Sequence, residues 1–289
     1  MRVTEPFRRR KVQCVSPTGL HRMAYVEWGG RDSANTLVCV HGLSRCARDF
    51  DFFAAEMAGR GWRVVCPDIP GRGDSDWLKN PMEYAVPVYV SDMVALIARL
   101  DVETVHWVGT SLGGLVGMTL AALPESPVKK LVLNDVGPVL TAVSLDRIGA
   151  YLGKWPPLPT IEAAEQYVRA VSAPFGPHTD AEWRFLTEHL VRRNPDGTLR
   201  MHYDPAIAVP FNVQVPHQEI ALWSFYDAIR CPTLVLRGEQ SDLLTRDTAA
   251  QMAKRGPRAK VVEIPGVGHA PTLIHADQIA IVREFLLAG

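Results

Sequence analysis

The sequence predicts an α/β protein, with a mostly parallel sheet, helices on both faces and an inserted helical segment. Two observations lead to this fold class. Short apolar runs rich in β-branched residues alternate with helical patterns, which is typical of parallel strands that are buried on both faces. The alternation breaks over residues 138–228, where no strand-like run occurs and prolines and aromatic residues are enriched.

The apolar runs predict seven strands, and the stretches between them predict five helices. The strands are residues 22–28, 36–40, 62–68, 103–108, 128–134, 233–238 and 260–264. The helices are residues 50–59, 86–100, 112–123, 246–255 and 276–287.

These elements divide the chain into a core and an insertion. The core comprises residues 1–137 and 229–289. An insertion at the carboxyl edge of an open sheet lies over the crevice where ligands bind, so residues 138–228 are predicted to form a cap or lid. A helical subdomain that only stabilises the fold is the alternative, because aromatic residues usually serve packing.

Composition and charge favour a small-molecule substrate over a macromolecular partner. The 289 residues carry 31 basic and 31 acidic side chains, so no strong field attracts nucleic acid or an anionic membrane. No run reaches the roughly 18 apolar residues that a membrane-spanning helix needs. The sequence leaves open whether the protein forms a homo-oligomer.

The N-terminal segment and the cysteines favour a cytoplasmic protein without a metal site. No apolar region of a secretory signal follows the basic run at residues 8–11, so a solvated leader is expected before the first strand. The five cysteines are scattered, and no C-x-x-C, H-E-x-x-H or Cys/His cluster offers the spacing of metal ligands. Reduced thiols are therefore expected.

The stretch GTSLG, at residues 109–113, follows a predicted strand and opens a predicted helix. A serine at such a turn exposes its hydroxyl above the sheet, and flanking glycines remove side chains that would clash in so tight a turn. A serine that merely caps the helix would explain Ser111 but not Gly109 and Gly113. We therefore predict that Ser111 is a nucleophile.

Asp242 and His269 are predicted to activate Ser111. A serine hydroxyl needs a base, the base needs an orienting acid, and the chain order in this architecture is serine, acid, histidine. Asp242 and His269 lie in the loops after the last two predicted strands, at the same sheet edge as Ser111. Glu239, in the same loop as Asp242, and Asp135, after the preceding strand, remain alternatives for the acid.

Two backbone N–H groups are predicted to stabilise the negative charge that develops on the substrate carbonyl oxygen. One belongs to Leu112, which follows the nucleophile at the N-terminus of a helix. The other belongs to Leu43, which follows Gly42 in the loop after the strand at residues 36–40. These are backbone roles, so the leucine side chains need not matter to them.

Five motifs of the chain resemble those of the α/β-hydrolase fold superfamily, in the same order and over almost the whole length. They are HGLS, PDIPGRGDSD, GTSLGG, RGEQSDLL and GVGHAP. The resemblance implies an eight-stranded, mostly parallel sheet, a helical cap after the sixth strand, and hydrolysis through an acyl-enzyme without a cofactor. PDIPGRGDSD, at residues 67–76, is interpreted as scaffold whose charged residues could contact the cap.

These features predict a serine hydrolase that acts on a small to medium, fairly apolar carboxylic ester. Within the superfamily that the chain resembles, the serine rather than aspartate at the nucleophile position argues against haloalkane dehalogenases and epoxide hydrolases. A lactonase, a thioesterase or a hydrolase of the C–C bond in ring-cleavage products would use the same side chains, because the cap sets the substrate. A ligand receptor that retains the three side chains is a remote alternative.

Overall fold

The described residues form twelve strands, eight of which make one central sheet. In this computed structural model the described residues are 7–214 and 218–288. The structure does not describe residues 1–6 of the predicted first core segment, residues 215–217 of the predicted cap, or residue 289 of the predicted second core segment. The strands are β1 (Arg8–Ser16), β2 (Gly19–Trp28), β3 (Thr36–Val40), β4 (Arg63–Pro67), β5 (Val105–Thr110), β6 (Val128–Asn134), β7 (Val139–Leu140), β8 (Val191–Arg193), β9 (Leu199–Met201), β10 (Ile220–Ala221), β11 (Thr233–Gly238) and β12 (Lys260–Ile264).

The central sheet is mostly parallel, as the sequence predicts. Its strand order is β1-β2-β4-β3-β5-β6-β11-β12. β2 is antiparallel to both of its neighbours, β1 and β4, and the five other pairs of adjacent strands are parallel. β3 and β4 are buried at every position, which explains their continuous apolar sequences. The observed sheet confirms the predicted fold class.

The expectation of a solvated leader at residues 8–11 is wrong, because these residues belong to β1. This edge strand pairs with β2, beginning with Arg8 opposite Glu27. Its residues alternate between exposed and less exposed positions, and six of the nine are polar. Arg8 and Arg10 approach the fully buried Glu27 at 3.4 and 3.6 Å. Charged residues on an edge strand discourage pairing with other chains. Here they also leave the strand without the apolar run by which a strand is predicted from sequence.

Ten α-helices are described, and the core helices cover both faces of the sheet. They are α1 (Asp51–Ala58), α2 (Val86–Leu100), α3 (Leu112–Ala121), α4 (Ala142–Tyr151), α5 (Ile161–Val171), α6 (Asp180–Leu190), α7 (Ala208–Gln214), α8 (Trp223–Ala228), α9 (Arg246–Met252) and α10 (Ala276–Leu287). α1 and α10 pack on one face with Val108 of β5, whereas α2 and α3 pack on the other face with the neighbouring Trp107. Adjacent residues of β5 thus pack into the hydrophobic cores on opposite faces of the sheet.

The segment between β6 and β11 contains α4 to α8 and two small antiparallel pairs. β7 pairs with β10, and β8 pairs with β9. No strand is predicted here from the sequence, because strands of two or three residues leave no apolar run. Arg72, in the loop after β4, forms a bridge with Tyr203 of this segment. Among the described residues, no helix is long and apolar enough to cross a membrane.

Candidate active site

Ser111 occupies the turn between β5 and α3 with an unusual backbone conformation. Its φ is 53° and its ψ is −115°. A residue with a side chain rarely adopts a positive φ, and such strain is retained mainly where function requires it. The turn therefore projects the Ser111 side chain away from both elements, as predicted for a nucleophile.

The glycines on either side of Ser111 allow the turn to close. A Cβ atom on Gly109 would lie 2.2 Å from the carbonyl oxygen of Gly113. A Cβ atom on Gly113 would lie 2.0 Å from the carbonyl oxygen of Val40, at the end of β3. Both distances are far below van der Waals contact, which confirms that the paired glycines serve this turn.

His269 joins Ser111 to a carboxylate. Its Nε2 atom lies 3.0 Å from the Ser111 hydroxyl oxygen, and its Nδ1 atom lies 2.8 Å from Oδ2 of Asp135. A carboxylate only accepts hydrogen bonds, so Nδ1 carries the proton and the unprotonated Nε2 accepts from the Ser111 hydroxyl. The predicted pair Ser111 and His269 is thus within hydrogen-bonding distance.

Asp135 is fully buried and held by three donors. It follows β6 directly and accepts hydrogen bonds from the Gly238 N–H at Oδ1 (2.7 Å) and from the Ser241 hydroxyl at Oδ2 (2.6 Å). His269 Nδ1 is the third donor. Donors of this kind offset the cost of burying a carboxylate and fix the side chain in one orientation.

The preference for Asp242 as the acid is wrong in this structure. Arg147 of α4 binds its carboxylate in two places, with distances of 2.5 and 2.8 Å. Burial alone would raise the pKa of Asp242, but the hydrogen bonds and charge of Arg147 lower it below its usual value. Glu239 is also engaged elsewhere, because its Oε2 accepts from the Gly266 N–H. The alternative acid, Asp135, is therefore the one that contacts His269.

The two backbone groups predicted as oxyanion donors are available. Within the described part of the chain, neither the Leu43 N–H nor the Leu112 N–H donates a hydrogen bond. Both residues line a cavity that also contains Ser111. The loop before Leu43 is fixed by the buried His41, whose Nε2 accepts from Ile69 N–H and whose Nδ1 therefore donates to the Gly42 carbonyl. This role of His41 is not predicted from the sequence, because its partner Ile69 lies in a different loop.

Two cavities meet at Ser111. The smaller, of about 70 Å³, contains polar groups on the side of His269. Arg45, Arg147 and Tyr151 contribute to it. The larger, of about 400 Å³, is mainly apolar and extends between the sheet edge and the inserted segment. Its described lining includes Leu115, Val136, Leu140, Leu145, Ile148, Ile207, Phe211, Ile220, Leu222 and Leu243.

One group of side chains outside these cavities has the chemistry of metal ligands. Cys14, His21 and Asp92 are buried, and one ligand atom from each lies within 4.8 Å of the others. None of the three lines either cavity at Ser111. His21 Nε2 already lies 3.0 Å from Asp92 Oδ2, whereas His21 Nδ1 and Asp92 Oδ1 are buried without a hydrogen-bond partner among the described residues. Because the residues come from β1, β2 and α2, their spacing in the sequence could not reveal them.

The fold and the site together define a class of enzyme. A mostly parallel sheet, a serine at a strained strand–helix turn and a histidine between that serine and a buried carboxylate are the features of α/β hydrolases. The sequence model described as "Alpha/beta hydrolase family" matches residues 37–282. The chain belongs to this family and is a hydrolase.

Relatives of known name support this assignment. The chain is 53% identical over 281 residues to a 3-hydroxybutyrate-oligomer hydrolase of Cupriavidus necator, covering 95% of this chain and 96% of that protein. It is 27% identical to an esterase of Mycobacterium tuberculosis, covering 90% of this chain and 85% of the esterase. An alpha/beta hydrolase from Novosphingobium aromaticivorans has a similar structure, with a TM-score of 0.87, 37% identity, and coverage of 98% of this chain and 99% of that one.

Proposed function

We propose that the protein is a serine hydrolase of carboxylic esters, in which Ser111 is the nucleophile, His269 the base and Asp135 the orienting acid. The observation that carries the proposal is the continuous hydrogen-bonded path from Ser111 through His269 to Asp135, with distances of 3.0 and 2.8 Å. A hydroxyl at neutral pH becomes a useful nucleophile when a positioned base removes its proton.

Acylation follows from this arrangement. The Ser111 oxygen attacks the ester carbonyl carbon while its proton passes to Nε2 of His269. The carbonyl oxygen becomes negatively charged, and the N–H groups of Leu43 and Leu112 stabilise it. When the tetrahedral intermediate collapses, the C–O bond of the ester breaks and the leaving alcohol takes the proton from His269. Ser111 then carries the acyl group.

Deacylation uses the same groups in reverse. His269 removes a proton from a water molecule, which attacks the acyl carbon, and the collapse of the second intermediate returns the proton to Ser111. Throughout the cycle Asp135 keeps the proton of His269 on Nδ1 and stabilises the imidazolium that forms twice. No group outside this chain is needed except water.

The substrate class we propose is a short oligoester of a 3-hydroxy acid. The support is the 53% identity to an enzyme whose name describes hydrolysis of 3-hydroxybutyrate oligomers, together with an apolar cavity of about 400 Å³ beside Ser111. We propose that the inserted segment, residues 138–228, is the cap that forms the roof of this cavity. The five free cysteines favour the cytoplasm as the compartment.

The test is turnover by purified protein and by a Ser111→Ala variant. We expect hydrolysis of p-nitrophenyl butyrate and of 3-hydroxybutyrate dimer, and a loss in kcat of at least about 10³-fold on Ser111→Ala. Ser126→Ala, which removes a serine from the loop before β6, is the matched control and should retain activity. Undiminished kcat in Ser111→Ala would refute the proposal.

The alternative bond types are separated by a substrate panel. Values of kcat/KM for the dimer are compared with those for a lactone, an acyl thioester and a ring-cleavage dienoate, because the three side chains serve each reaction. We expect the ester to be preferred. A large preference for any other bond would reassign the substrate, and ligand binding without turnover would point to a receptor.

A further inference from the structure

Arg72 is a fully buried arginine with unused hydrogen-bonding capacity. Its Nε donates to the Leu43 carbonyl (2.8 Å), and its Nη1 donates to the Pro70 carbonyl (2.7 Å) and to the Tyr89 hydroxyl oxygen (2.9 Å). Its Nη2 atom is buried and has no partner in residues 7–214 and 218–288. Three of the five guanidinium N–H groups suffice for these bonds, so two remain unsatisfied.

No acid neutralises this cation in the part of the chain that the structure describes. Arg63, which is also buried, contrasts with it because Arg63 forms an ion pair with Glu27 at 2.9 Å. Asp204 lies close to this loop, because its N–H donates to the Gly71 carbonyl. Its carboxylate, however, binds other groups: it accepts from the Tyr84 hydroxyl at 2.5 Å and from the Ala206 N–H at 2.9 Å. A buried charge without an acid partner is costly, so an anionic ligand beside Arg72 would be stabilised by this charge.

Arg72 lies in the wall of the large cavity that contains Ser111. Among the described residues that line this cavity, Arg72 is the only charged one. Tyr84 and Tyr89 line the same cavity, with ring centres 5.6 and 5.3 Å from the Arg72 guanidinium carbon. Ligand sites typically combine an apolar wall with a few placed polar groups that fix the orientation of the ligand.

Tyr89 offers a second donor at this place. Its hydroxyl oxygen accepts from Arg72, and its own O–H donates to no group within the described ranges. Burial raises the pKa of Tyr89, so the O–H stays protonated. A guanidinium and a phenol side by side in the wall of an apolar cavity match a carboxylate, which accepts two hydrogen bonds and balances the charge.

We propose that the large cavity recognises the free carboxylate of the substrate, with Arg72 as its cationic partner and Tyr89 as a second donor. An oligoester of a hydroxy acid ends in one free carboxylate, so this contact would place the ester bonds near that end at Ser111. The inference rests on the proposed ester-hydrolase function and deepens it, because it specifies acidic esters over neutral ones. The interpretation of residues 67–76 as scaffold alone is then incomplete.

The test compares two substrates that differ only in their terminal group, which is a charged acceptor in one and a neutral amide in the other. One is 3-hydroxybutyryl-3-hydroxybutyrate, and the other is its primary carboxamide, which has the same internal ester bond. For the unmodified protein we expect kcat/KM to favour the free acid by about 10- to 100-fold, the range given by one charge-assisted hydrogen-bonded contact. Arg72→Met should bring this ratio close to one, Arg72→Lys should restore part of it, and Tyr89→Phe should reduce it less than Arg72→Met.

The ratio separates recognition from a purely structural role. Arg72 also fixes the Leu43 carbonyl, so its loss can slow both substrates. An equal loss for acid and amide, with the ratio unchanged, would overturn the inference while leaving the proposed function intact. Absence of turnover on both substrates by the unmodified protein would instead refute the proposed function.

Inhibition by a small carboxylate provides a second readout. Hydrolysis of p-nitrophenyl butyrate is measured with butyrate and with butyramide as competitors, in the unmodified protein and in Arg72→Met. Butyrate is also the product of this reaction and can bind at Ser111, so the change in preference between the two proteins tests the inference. We expect butyrate to inhibit the unmodified protein at a concentration at least about tenfold lower than butyramide, and this preference to fall in Arg72→Met. An unchanged preference in Arg72→Met would overturn the inference.

Discussion

Replacing Asp135 by asparagine should block catalysis through the orientation of a single amide group. Oδ1 of Asp135 accepts from the backbone N–H of Gly238, and a backbone N–H can only donate. In the Asp135→Asn variant the amide oxygen must therefore occupy this position, which turns the new NH₂ group toward His269. Nδ1 of His269 then has to accept, so its proton moves to Nε2 and the ring can no longer accept the Ser111 proton.

The size of the effect follows from the loss of the correct tautomer. In Ser-His-Asp enzymes such a substitution lowers kcat by about 10⁴-fold, which equals about 5 kcal/mol of transition-state stabilisation. We expect kcat for p-nitrophenyl butyrate to decrease by about 10³- to 10⁴-fold in Asp135→Asn, with little change in KM, since Asp135 is buried behind His269 and lines neither cavity. The assay is steady-state hydrolysis, with thermal unfolding to show that the variant is folded.

Asp242→Asn is the matched control, because it makes the same chemical change at the position that the sequence favoured. Asp242 binds Arg147 rather than His269, so this variant should lose less than about fivefold in kcat. If Asp242→Asn reduced kcat as much as Asp135→Asn, or if Asp135→Asn retained nearly full kcat, the assignment of the acid would be refuted.

Two further predictions concern the turn and the loop that surround Ser111. Gly113→Ala should lower the free energy of unfolding by about 3 kcal/mol or more, since its Cβ would lie 2.0 Å from the Val40 carbonyl oxygen. The control is Gly30→Ala, whose Cβ would meet only Ser33 at 3.8 Å and which should change this free energy by less than about 0.5 kcal/mol. Both are measured by urea unfolding. Equal stability of the two variants would contradict the packing argument. Burial lowers the pKa of His41 from 6.5 to about 3, so below pH 6.5 the unfolded chain binds a proton that the native His41 does not. As the pH decreases below 6.5, the free energy of unfolding therefore decreases by up to about 1.4 kcal/mol per pH unit. His41→Gln should remove that part of the slope between pH 6.5 and about 5, and an unchanged slope would show that His41 does not contribute.

The central strands could be predicted because burial on both faces leaves a continuous apolar sequence. β3, β4 and β11 are buried at every position and were found with bounds close to those observed. β1 could not be predicted, because this edge strand begins with four basic residues in a row and so shows no continuous apolar run. The short strands β7 to β10 depend on contacts within the inserted segment rather than on a local pattern.

The serine and histidine that the structure brings together could be predicted because each lies in a distinctive local sequence. The carboxylate that contacts His269 could not, since Asp135 and Asp242 follow adjacent parallel strands, β6 and β11, and reach the same sheet edge. What separates them is tertiary contact. Ser241 and Gly238 hold Asp135 toward His269, whereas Arg147 from the inserted segment holds Asp242 away. Arg147 lies 95 residues from its partner in sequence, so no spacing rule links the two.

The most direct test of the proposed mechanism is chemical labelling of the nucleophile. A fluorophosphonate forms a stable adduct only with a serine that a base has activated, and peptide mass mapping locates the modified residue. The account predicts a single adduct in the unmodified protein, on the peptide that contains Ser111, and no adduct in Ser111→Ala. Modification of a different residue, or persistent labelling of Ser111→Ala, would contradict it.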